Sequence, residues 1–380
     1  MHRKSVYVLV LAVAALLVLG IVMLYSTSAF ARGSHGDSLY LVKRQGVWLG
    51  IGMVGCIAAS LCDYHFWQRT WWIWFALSVV LLACCFVPHL GLKVNGARRW
   101  VNLRVITFQP SDFAKLAAIA FLAFWYARYE NESGEFLKGF LYPMLIVGVV
   151  MAEIAGEIDM GTTALIGGTM FAVMFVAGAG LRFIAPLAAC GVGGTIYLGF
   201  HMKDRLGRML AFLDLEKNKD HYGLQQWQSL IAFGSGGVDG FGLGNGRVKM
   251  SYLPEAHTDF IFPIIGEELG LRWTLFVVFC YLLIVLSGTL IAINSRDRFG
   301  MLLGFGFVVM LALQAALNIA VTTALLPNKG LALPLISYGG SNLLFCMLGV
   351  GILISIYRHG MTERLPKAAM KFHARVTPRI

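Results

Sequence analysis

The chain has 380 residues, of which 58% are hydrophobic and only 13% are charged, and its formal net charge is +11. A water-soluble domain carries roughly 25% charged residues, so this composition excludes an ordinary soluble protein. It indicates a protein that crosses a membrane several times.

Hydropathy along the chain predicts about ten transmembrane helices. A spanning helix needs about 20 mostly apolar residues, because lipid offers the backbone no hydrogen-bond partner. Eight apolar runs without charged residues reach at least 18 residues, at 5–31, 45–62, 70–92, 160–181, 183–202, 273–295, 299–328 and 330–357. Two shorter runs, 116–127 and 139–152, reach spanning length only with their polar flanks. The sequence therefore predicts an all-α, polytopic membrane protein, whose first run is an uncleaved helix rather than a signal peptide.

We expect residues 1–380 to form one membrane domain, with a large polar loop at 201–258 and a basic tail at 358–380. An even number of helices puts both termini on one side, and a tail rich in Lys and Arg is typical of the cytoplasmic side. The loop and the basic segment 93–104 then lie outside, against the positive-inside rule. Two explanations stay open: long segments cross with little regard to charge, or these cations bind an anionic ligand.

Two polar segments that precede apolar runs have structural explanations. In Gln109-Pro110-Ser111-Asp112 the Ser or Asp could cap a helix, and Asp112 could pair with Lys115 one turn later. The acidic turn at 156–162, GEIDMGT, opens a helix, where Asp159 would be a favourable cap. The glycine-rich stretch 234–246 is interpreted as an extramembrane turn.

Asp259 is the main catalytic candidate in the sequence. It lies in YLPEAHTDFIFPIIGEELG (252–270), where a polar loop enters an apolar stretch. Desolvation at such a place raises the pKa of a carboxyl group and makes it a plausible general base. A helix cap is the alternative role for this residue.

A second stretch, LPNKGLALPLISYGGSN (326–342), breaks an apolar run with two prolines and three glycines. Irregular backbone at membrane depth is tolerated only where it is packed in protein or lines a polar cavity. This stretch therefore predicts a substrate cleft.

These two stretches resemble the signature segments of the SEDS (shape, elongation, division and sporulation) family of membrane proteins. VNGARRWVNL with FQPSDFAKLA, IDMGTTAL, and RMLAFLDLEK followed by YGLQQWQSLIAFGSGGVDGFGLGNG resemble further family segments in the same order. LPEAHTDFIF, IGEELG and the lysine of LLPNKG are closest to the cell-division branch, with the rod-elongation branch as near relative.

The resemblance implies a ten-helix glycosyltransferase of the bacterial inner membrane that polymerises lipid II at the outer face. It implies that Asp259 is the catalytic base, which takes a proton from the 4-hydroxyl of one lipid II. That oxygen attacks the anomeric carbon of the growing chain, and undecaprenyl pyrophosphate leaves. Because charge develops on this leaving group, we expect Arg98, Arg99, Arg208 and Lys329 to bind it. A divalent cation, Mg²⁺ or Mn²⁺, could share that role, although the sequence shows no distinct ligand set.

The resemblance also implies its partners: lipid II and the undecaprenyl-pyrophosphate-linked glycan, a class B penicillin-binding protein transpeptidase and other divisome proteins, but no nucleic acid. Three positions depart from the family pattern. Ile158 stands where proline is usual, Pro263 replaces a small residue and could kink its helix, and Asn342 replaces a serine.

Three alternatives remain open at this point. A rod-elongation polymerase would share most of these motifs. A lipid II flippase would also have broken helices and charges at membrane depth, but the sequence shows no internal repeat. A non-catalytic scaffold would have no need of Asp259 beside a cationic cleft.

Overall fold

The computed structural model describes residues 2–29, 37, 39–88, 90–94, 97–102, 107–201, 203–250 and 253–362. Within these residues the chain forms twelve α-helices and one small three-stranded sheet. The helices are α1 (His2–Ser28), α2 (Tyr40–Leu61), α3 (His65–Phe86), α4 (Pro110–Arg128), α5 (Tyr142–Gly156), α6 (Met160–Val176), α7 (Leu181–His201), α8 (Lys203–Leu213), α9 (Leu224–Gly236), α10 (Ile261–Ile293), α11 (Arg298–Thr322) and α12 (Gly340–Thr362). The strands β1 (Gly91–Val94), β2 (Ala97–Asn102) and β3 (Thr107–Phe108) pair antiparallel in the order β1-β2-β3. The predicted helical architecture is confirmed, and a sheet stands where the sequence suggested a short loop.

Seven helices of the described residues are long and apolar enough to cross a membrane, at Lys4–Ser28, Tyr40–Leu61, His65–Phe86, Leu137–Gly156, Ile261–Ile293, Arg298–Thr322 and Gly340–Gly360. Two further apolar stretches, Met160–Val176 and Leu181–Gly191, are shorter. Helix α4 has 19 residues but carries Asp112, Lys115 and Arg128. The chain is therefore a multi-pass membrane protein, while the number of ten spans stays a prediction.

Glycines bring the backbones of α2 and α12 close together. A β-carbon at Gly351 would lie 2.4 Å from the carbonyl oxygen of Cys56, and one at Gly52 would lie 3.3 Å from Cγ of Met347. Small residues allow such close contacts between helices in lipid, where apolar burial between helices provides little driving force. Large apolar side chains such as Leu11 face outward.

Contacts between turns define the two ends of the helical bundle. At one end, Tyr64 in the α2–α3 turn donates to Asp297 in the α10–α11 turn, and Ser355 of α12 donates to the Cys62 carbonyl (2.6 Å). The basic tail continues from this end, but its residues after 362 lie outside the described residues. The other end carries the sheet, the α5–α6 turn, α9, the start of α10 and the connection from α11 to α12. The segments singled out in the sequence meet at this second end.

The polar segment 201–258 contains α8, α9 and a glycine-rich turn that packs on α10. The N–H groups of Phe241 and Gly242 donate to the carbonyls of Glu267 and Glu268, at 3.0 and 2.9 Å. Gly270, with φ 77°, interrupts α10 at this contact. A residue with a side chain would be strained at this φ, and a β-carbon there would lie 2.4 Å from the Val238 carbonyl oxygen.

The expected kink at Pro263 is not where α10 bends. Pro263 is the third residue of α10, in the first turn, where N–H groups have no intrahelical partner. Proline therefore removes no helical hydrogen bond there. The break lies at Gly270 instead, because the glycine-rich turn takes the carbonyl groups that would continue the helix.

Candidate active site

Asp259 lies in the loop immediately before α10, and a side chain from α11 fixes its backbone. Asn318 Nδ2 donates to the carbonyl of Asp259 (2.7 Å) and to that of Leu331 (2.6 Å). The two signature stretches of the sequence therefore meet at one amide group. The second stretch brings Gly330 so close to Asp259 that a β-carbon there would lie 2.6 Å from Oδ2.

The side chain of Asp259 is not the cap of α10. The capping residue is Phe260, and no side chain makes a capping hydrogen bond at that helix start. Asp259 is half-buried, and its pKa is raised to about 7. Burial is the largest cause, the charges of Glu255 and Asp159 also raise the pKa, and the Arg99 guanidinium lowers it. A carboxylate with this pKa can accept a proton near neutral pH.

The stretch 326–342 is packed against the loop that carries Asp259, as its irregular backbone predicted. Ser337 Oγ donates to the Thr258 carbonyl (2.5 Å) and accepts from the Leu333 N–H (2.8 Å). The Tyr338 N–H donates to the His257 carbonyl (2.9 Å). These bonds hold His257 and Thr258, the two residues before Asp259, against the 326–342 stretch.

The start of α6 forms another wall of this site. Asp159 caps α6, since its carboxylate accepts from the N–H (3.1 Å) and hydroxyl (2.9 Å) of Thr162. The capping role predicted for Asp159 is therefore confirmed. A β-carbon at Gly161 would lie 3.1 Å from Leu331 Cγ, so the helix start touches the residue that follows Gly330.

Arg99 is anchored at this helix start and acts electrostatically on Asp259. Its guanidinium donates to the Ile158 carbonyl (2.8 Å). The neighbouring Arg98 donates instead to the Phe86 carbonyl at the end of α3 (3.5 Å). Successive residues of a strand point to opposite faces, which explains why these two arginines diverge.

The turn before α6 has an unusual backbone. Ile158 has φ 65°, a left-handed value that is an outlier for a β-branched residue. Proline, which the resemblance leads one to expect here, has φ fixed near −65° and cannot adopt this conformation. The local backbone at Ile158 therefore depends on this departure from the pattern.

Burial also raises the pKa of the adjacent Glu157 to about 8, so this carboxyl group is largely protonated at neutral pH.

The other two predicted cations, Lys329 and Arg208, lie on different parts of the chain. Lys329 directly precedes Gly330 and is half-buried, so it belongs to the wall beside Asp259. Arg208 is an exposed residue of α8, which packs beside α7. Arg99 acts electrostatically on Asp259, and Lys329 directly precedes the glycine that touches it. Arg98 points from the same strand to the end of α3, and Arg208 lies on α8.

The ion pair predicted between Asp112 and Lys115 forms, at 2.8 Å, and both side chains are buried. The capping role considered for Ser111 or Asp112 is wrong, because Gln109 is the cap of α4 and has no side-chain capping bond. Lys115 also reaches Gln314 Oε1 (3.3 Å), and Gln314 Nε2 donates to the Ala332 carbonyl (2.8 Å). The pair is therefore connected to the 326–342 stretch through one side chain.

Asn342, one of the departures from the family pattern, completes this network. Its Oδ1 accepts a hydrogen bond from Gln314 Nε2 (3.0 Å). A serine at this position would have a shorter side chain, so the contact with Gln314 depends on the amide. The departure at Asn342 thus contributes a buried hydrogen bond at the start of α12.

Sequence reasoning missed the contribution of α2. Gln45 donates to the Ser337 carbonyl (3.3 Å) and accepts from the Gly339 N–H (3.3 Å). The Arg44 guanidinium interacts with the Tyr338 hydroxyl, and its Cζ lies 5.5 Å from the centroid of the Tyr40 ring. The signal in the sequence was the position of Gln45 at the start of the long apolar run 45–62, and this position does not indicate which residues Gln45 contacts.

A buried ion pair fixes the glycine-rich turn beside the site. Lys249 pairs with Glu268, and both side chains are almost fully buried. Lys249 Nζ also donates to Ser26 Oγ (2.6 Å) and to the Gly244 carbonyl (2.9 Å). Glu267 accepts hydrogen bonds from two N–H groups of the same turn, at 2.7 and 3.1 Å. The two glutamates of IGEELG are therefore structural anchors.

The chain is similar to known proteins over most of its length. It is 38% identical to "Probable peptidoglycan glycosyltransferase FtsW" of Geobacter sp. (strain M18), over 94% of this chain and 98% of that protein. It is 35% identical to "Stage V sporulation protein E" of Bacillus subtilis (strain 168), over 92% of this chain and 96% of that protein.

Solved structures have the same fold. A chain of a peptidoglycan synthase complex, solved in a study of the structural coordination of polymerization and crosslinking, has a TM-score of 0.76 at 25% identity, with 93% of this chain and 98% of that chain covered. The rod shape determining protein RodA of Thermus thermophilus has a TM-score of 0.69 at 25% identity, with 93% and 97% covered.

The family profile covers nearly all the helices described above. The profile of FtsW, RodA and SpoVE, described as cell cycle protein, matches residues 7–362. That range includes both signature stretches and every residue grouped around Asp259. The chain therefore belongs to the FtsW, RodA and SpoVE family of cell cycle proteins.

Proposed function

We propose that this chain is a peptidoglycan glycosyltransferase that polymerises lipid II for the septal wall during cell division. The observation that carries this proposal is the position of Asp259, a half-buried carboxylate outside the helix it precedes, with a pKa near 7. The names of the most similar relatives support the reaction, and those of the division branch support the process.

The proposed reaction is an inverting transfer in which Asp259 is the general base. Its carboxylate accepts the proton of the 4-hydroxyl of one lipid II, while that oxygen forms a bond to the anomeric carbon of the growing chain. The bond between this carbon and the pyrophosphate breaks, and undecaprenyl pyrophosphate leaves with the electron pair. The raised pKa supports this role, because a base is most effective when its pKa lies near the working pH.

The leaving group needs positive charge at the end of the site that it occupies. Lys329 lies in the 326–342 stretch, and Arg99 donates to the Ile158 carbonyl before α6; we propose that these two residues bind the pyrophosphate. Arg98 points away from Asp259 and Arg208 lies on α8, so these two are proposed only as outer contacts for the anionic lipid. Within the described part of the chain, no group of three or more His, Cys, Asp or Glu residues could hold a metal ion.

The proposed orientation follows from the two ends of the bundle. The site end would face outward from the inner membrane, with the segments 93–104 and 201–258, and both termini would be cytoplasmic. Residues 1–380 would then act as a single membrane domain. A class B penicillin-binding protein transpeptidase is the proposed partner, since a similar chain belongs to a complex for polymerization and crosslinking.

The experiment that tests the proposal is glycan synthesis by purified Asp259→Asn protein given lipid II, alone and with the transpeptidase. Asparagine keeps the size of the side chain but cannot act as the base, so the rate should fall about 100- to 10,000-fold. Asp239→Asn is a matched control, because Asp239 pairs with Arg272 on the surface. A flippase or a scaffold would not polymerise lipid II in this assay even as the wild-type protein. Wild-type rates for Asp259→Asn would remove this residue as the base.

A further inference from the structure

Helix α9 lies in the large polar segment. Two consecutive glutamines of this helix contact the segment that precedes Asp259, the end of α11 and the start of the 326–342 stretch. Gln225 Nε2 donates to the carbonyl of Pro254 (3.3 Å), five residues before Asp259. Gln225 Oε1 accepts from Asn328 Nδ2 (2.6 Å), and Asn328 directly precedes Lys329. One amide group therefore connects the segment that carries the proposed base to the segment that carries the proposed cation.

Gln226 fixes α9 itself against the end of α11. It is almost fully buried, and its Nε2 donates to the carbonyls of Val321 (2.9 Å) and Leu326 (2.7 Å). Helix α11 ends at this point, where Ala324 has φ 56° and its N–H donates to the Val321 carbonyl (3.1 Å). Gln226 adds a side-chain bond to this helix end and another to Leu326, and it thereby sets the position of Gln225.

The backbone is strained directly beside the bridge. Glu255, which follows Pro254, has φ 59°. Left-handed backbone is unfavourable at a residue other than glycine, and it persists only where surrounding contacts determine it. Side-chain bonds such as those of Gln225 are contacts of this kind.

We propose that Gln225 is a positioning residue for the glycosyl transfer, which fixes the separation between the Asp259 segment and the Lys329 segment through Asn328. This inference rests on the proposed function. The hydrogen bonds of Gln225 join it to Pro254 and to Asn328, so it acts on Asp259 and Lys329 through the two loops that carry them. A displacement of about 1 Å between catalytic groups can cost about 100-fold in rate. Loss of the bridge should therefore lower kcat more than it raises KM.

The test is a double-mutant cycle on purified protein with lipid II. Gln225→Ala and Asn328→Ala should each lower kcat about 10- to 100-fold, and the double variant should lose little more than either single one. The exchanged pair Gln225→Asn with Asn328→Gln keeps the total side-chain length between positions 225 and 328, so it should recover the part of the rate that depends on this contact. Gln68→Ala, on α3 at the opposite end of the bundle, is the matched control.

Thermal unfolding separates positioning from a merely structural role. A structural role predicts a lower Tm with unchanged kcat per folded molecule, additive effects and no recovery by the exchanged pair, and that result would overturn the inference. Inactive wild-type protein would contradict the proposed function instead. If the wild-type protein is active and the Gln225→Ala variant is equally active, the result contradicts only the role of Gln225.

Discussion

The carboxylate of Asp259 lies against the backbone of Gly330, where a β-carbon would stand 2.6 Å from Oδ2. Real β-carbon contacts do not approach so closely, so any side chain at position 330 must displace the carboxylate. The glycine is required here for space rather than for a left-handed backbone. Gly330 thus sets the position of the proposed base.

Gly330→Ala should therefore reduce polymerisation about 100-fold, since one methyl group shifts the carboxylate by the order of 1 Å. The measurement is the initial rate of glycan synthesis by purified protein. Gly134→Ala is a suitable control, because a β-carbon at Gly134 meets nothing within 4 Å. Equal rates for the two variants would show that the carboxylate does not need its present position.

The rate of polymerisation should rise with pH through about 7, because the pKa of Asp259 is raised to that value and only the deprotonated form is a base. Glu255→Gln removes an anion that raises this pKa, so the midpoint should move to lower pH. Arg99→Gln removes a cation that lowers it, so the midpoint should move to higher pH.

The two shifts have opposite signs, which separates them from a general loss of activity. Burial lowers the pKa of the nearby His257, which moves its titration away from the midpoint expected for Asp259. The measurement is kcat/KM against pH for the three proteins. A common midpoint for all three would exclude Asp259 as the group that titrates.

Lys329→Ala should lower polymerisation by about 100- to 1,000-fold if its charge stabilises the departing pyrophosphate. Lys329→Arg should retain part of the rate, because arginine keeps the charge but changes its geometry. Lys217→Ala, which removes an exposed lysine from the polar segment 201–258, should leave the rate unchanged. Wild-type rates for Lys329→Ala would indicate that the lysine only extends toward the membrane interface.

Lys249→Met should destabilise the protein strongly, because it leaves the Glu268 carboxylate buried without its cation. Removing one partner of a buried pair typically costs about 3–5 kcal/mol. The matched variant Lys217→Met removes an exposed lysine that pairs with Asp214, and its Tm should hardly change. Thermal unfolding in detergent measures both. Similar Tm values for the two variants would contradict an anchoring role for Lys249.

Cysteines introduced at Lys217 and at Lys371 should differ in their reaction with an impermeant thiol reagent on intact spheroplasts. Lys217 lies in the segment proposed to face outward, and Lys371 belongs to the basic tail, outside the described residues. We expect labelling at position 217 only, with unmodified protein as the blank. Labelling at position 371 alone would reverse the proposed orientation.

The sequence by itself determined the apolar helices and the two stretches that form the site, but not α8 and α9, which lie in the segment expected to be a loop. Apolar runs predict helices because lipid leaves the backbone no other way to satisfy its hydrogen bonds. Even the short run 116–127 corresponds to a helix, Pro110–Arg128, once its polar flanks are included. The sheet at Gly91–Val94, Ala97–Asn102 and Thr107–Phe108 could not be predicted, because strands this short give little alternation to detect.

Only the tertiary structure decided which side chains meet. The sequence offered Arg98 and Arg99 equally, and the direction of each side chain from the strand brings only Arg99 to the Ile158 turn. Gln225 and Asn328 are 103 residues apart, and no local pattern connects them. Such pairs depend on how helices pack, because periodicity specifies which face of a helix is apolar but not which polar group lies opposite it.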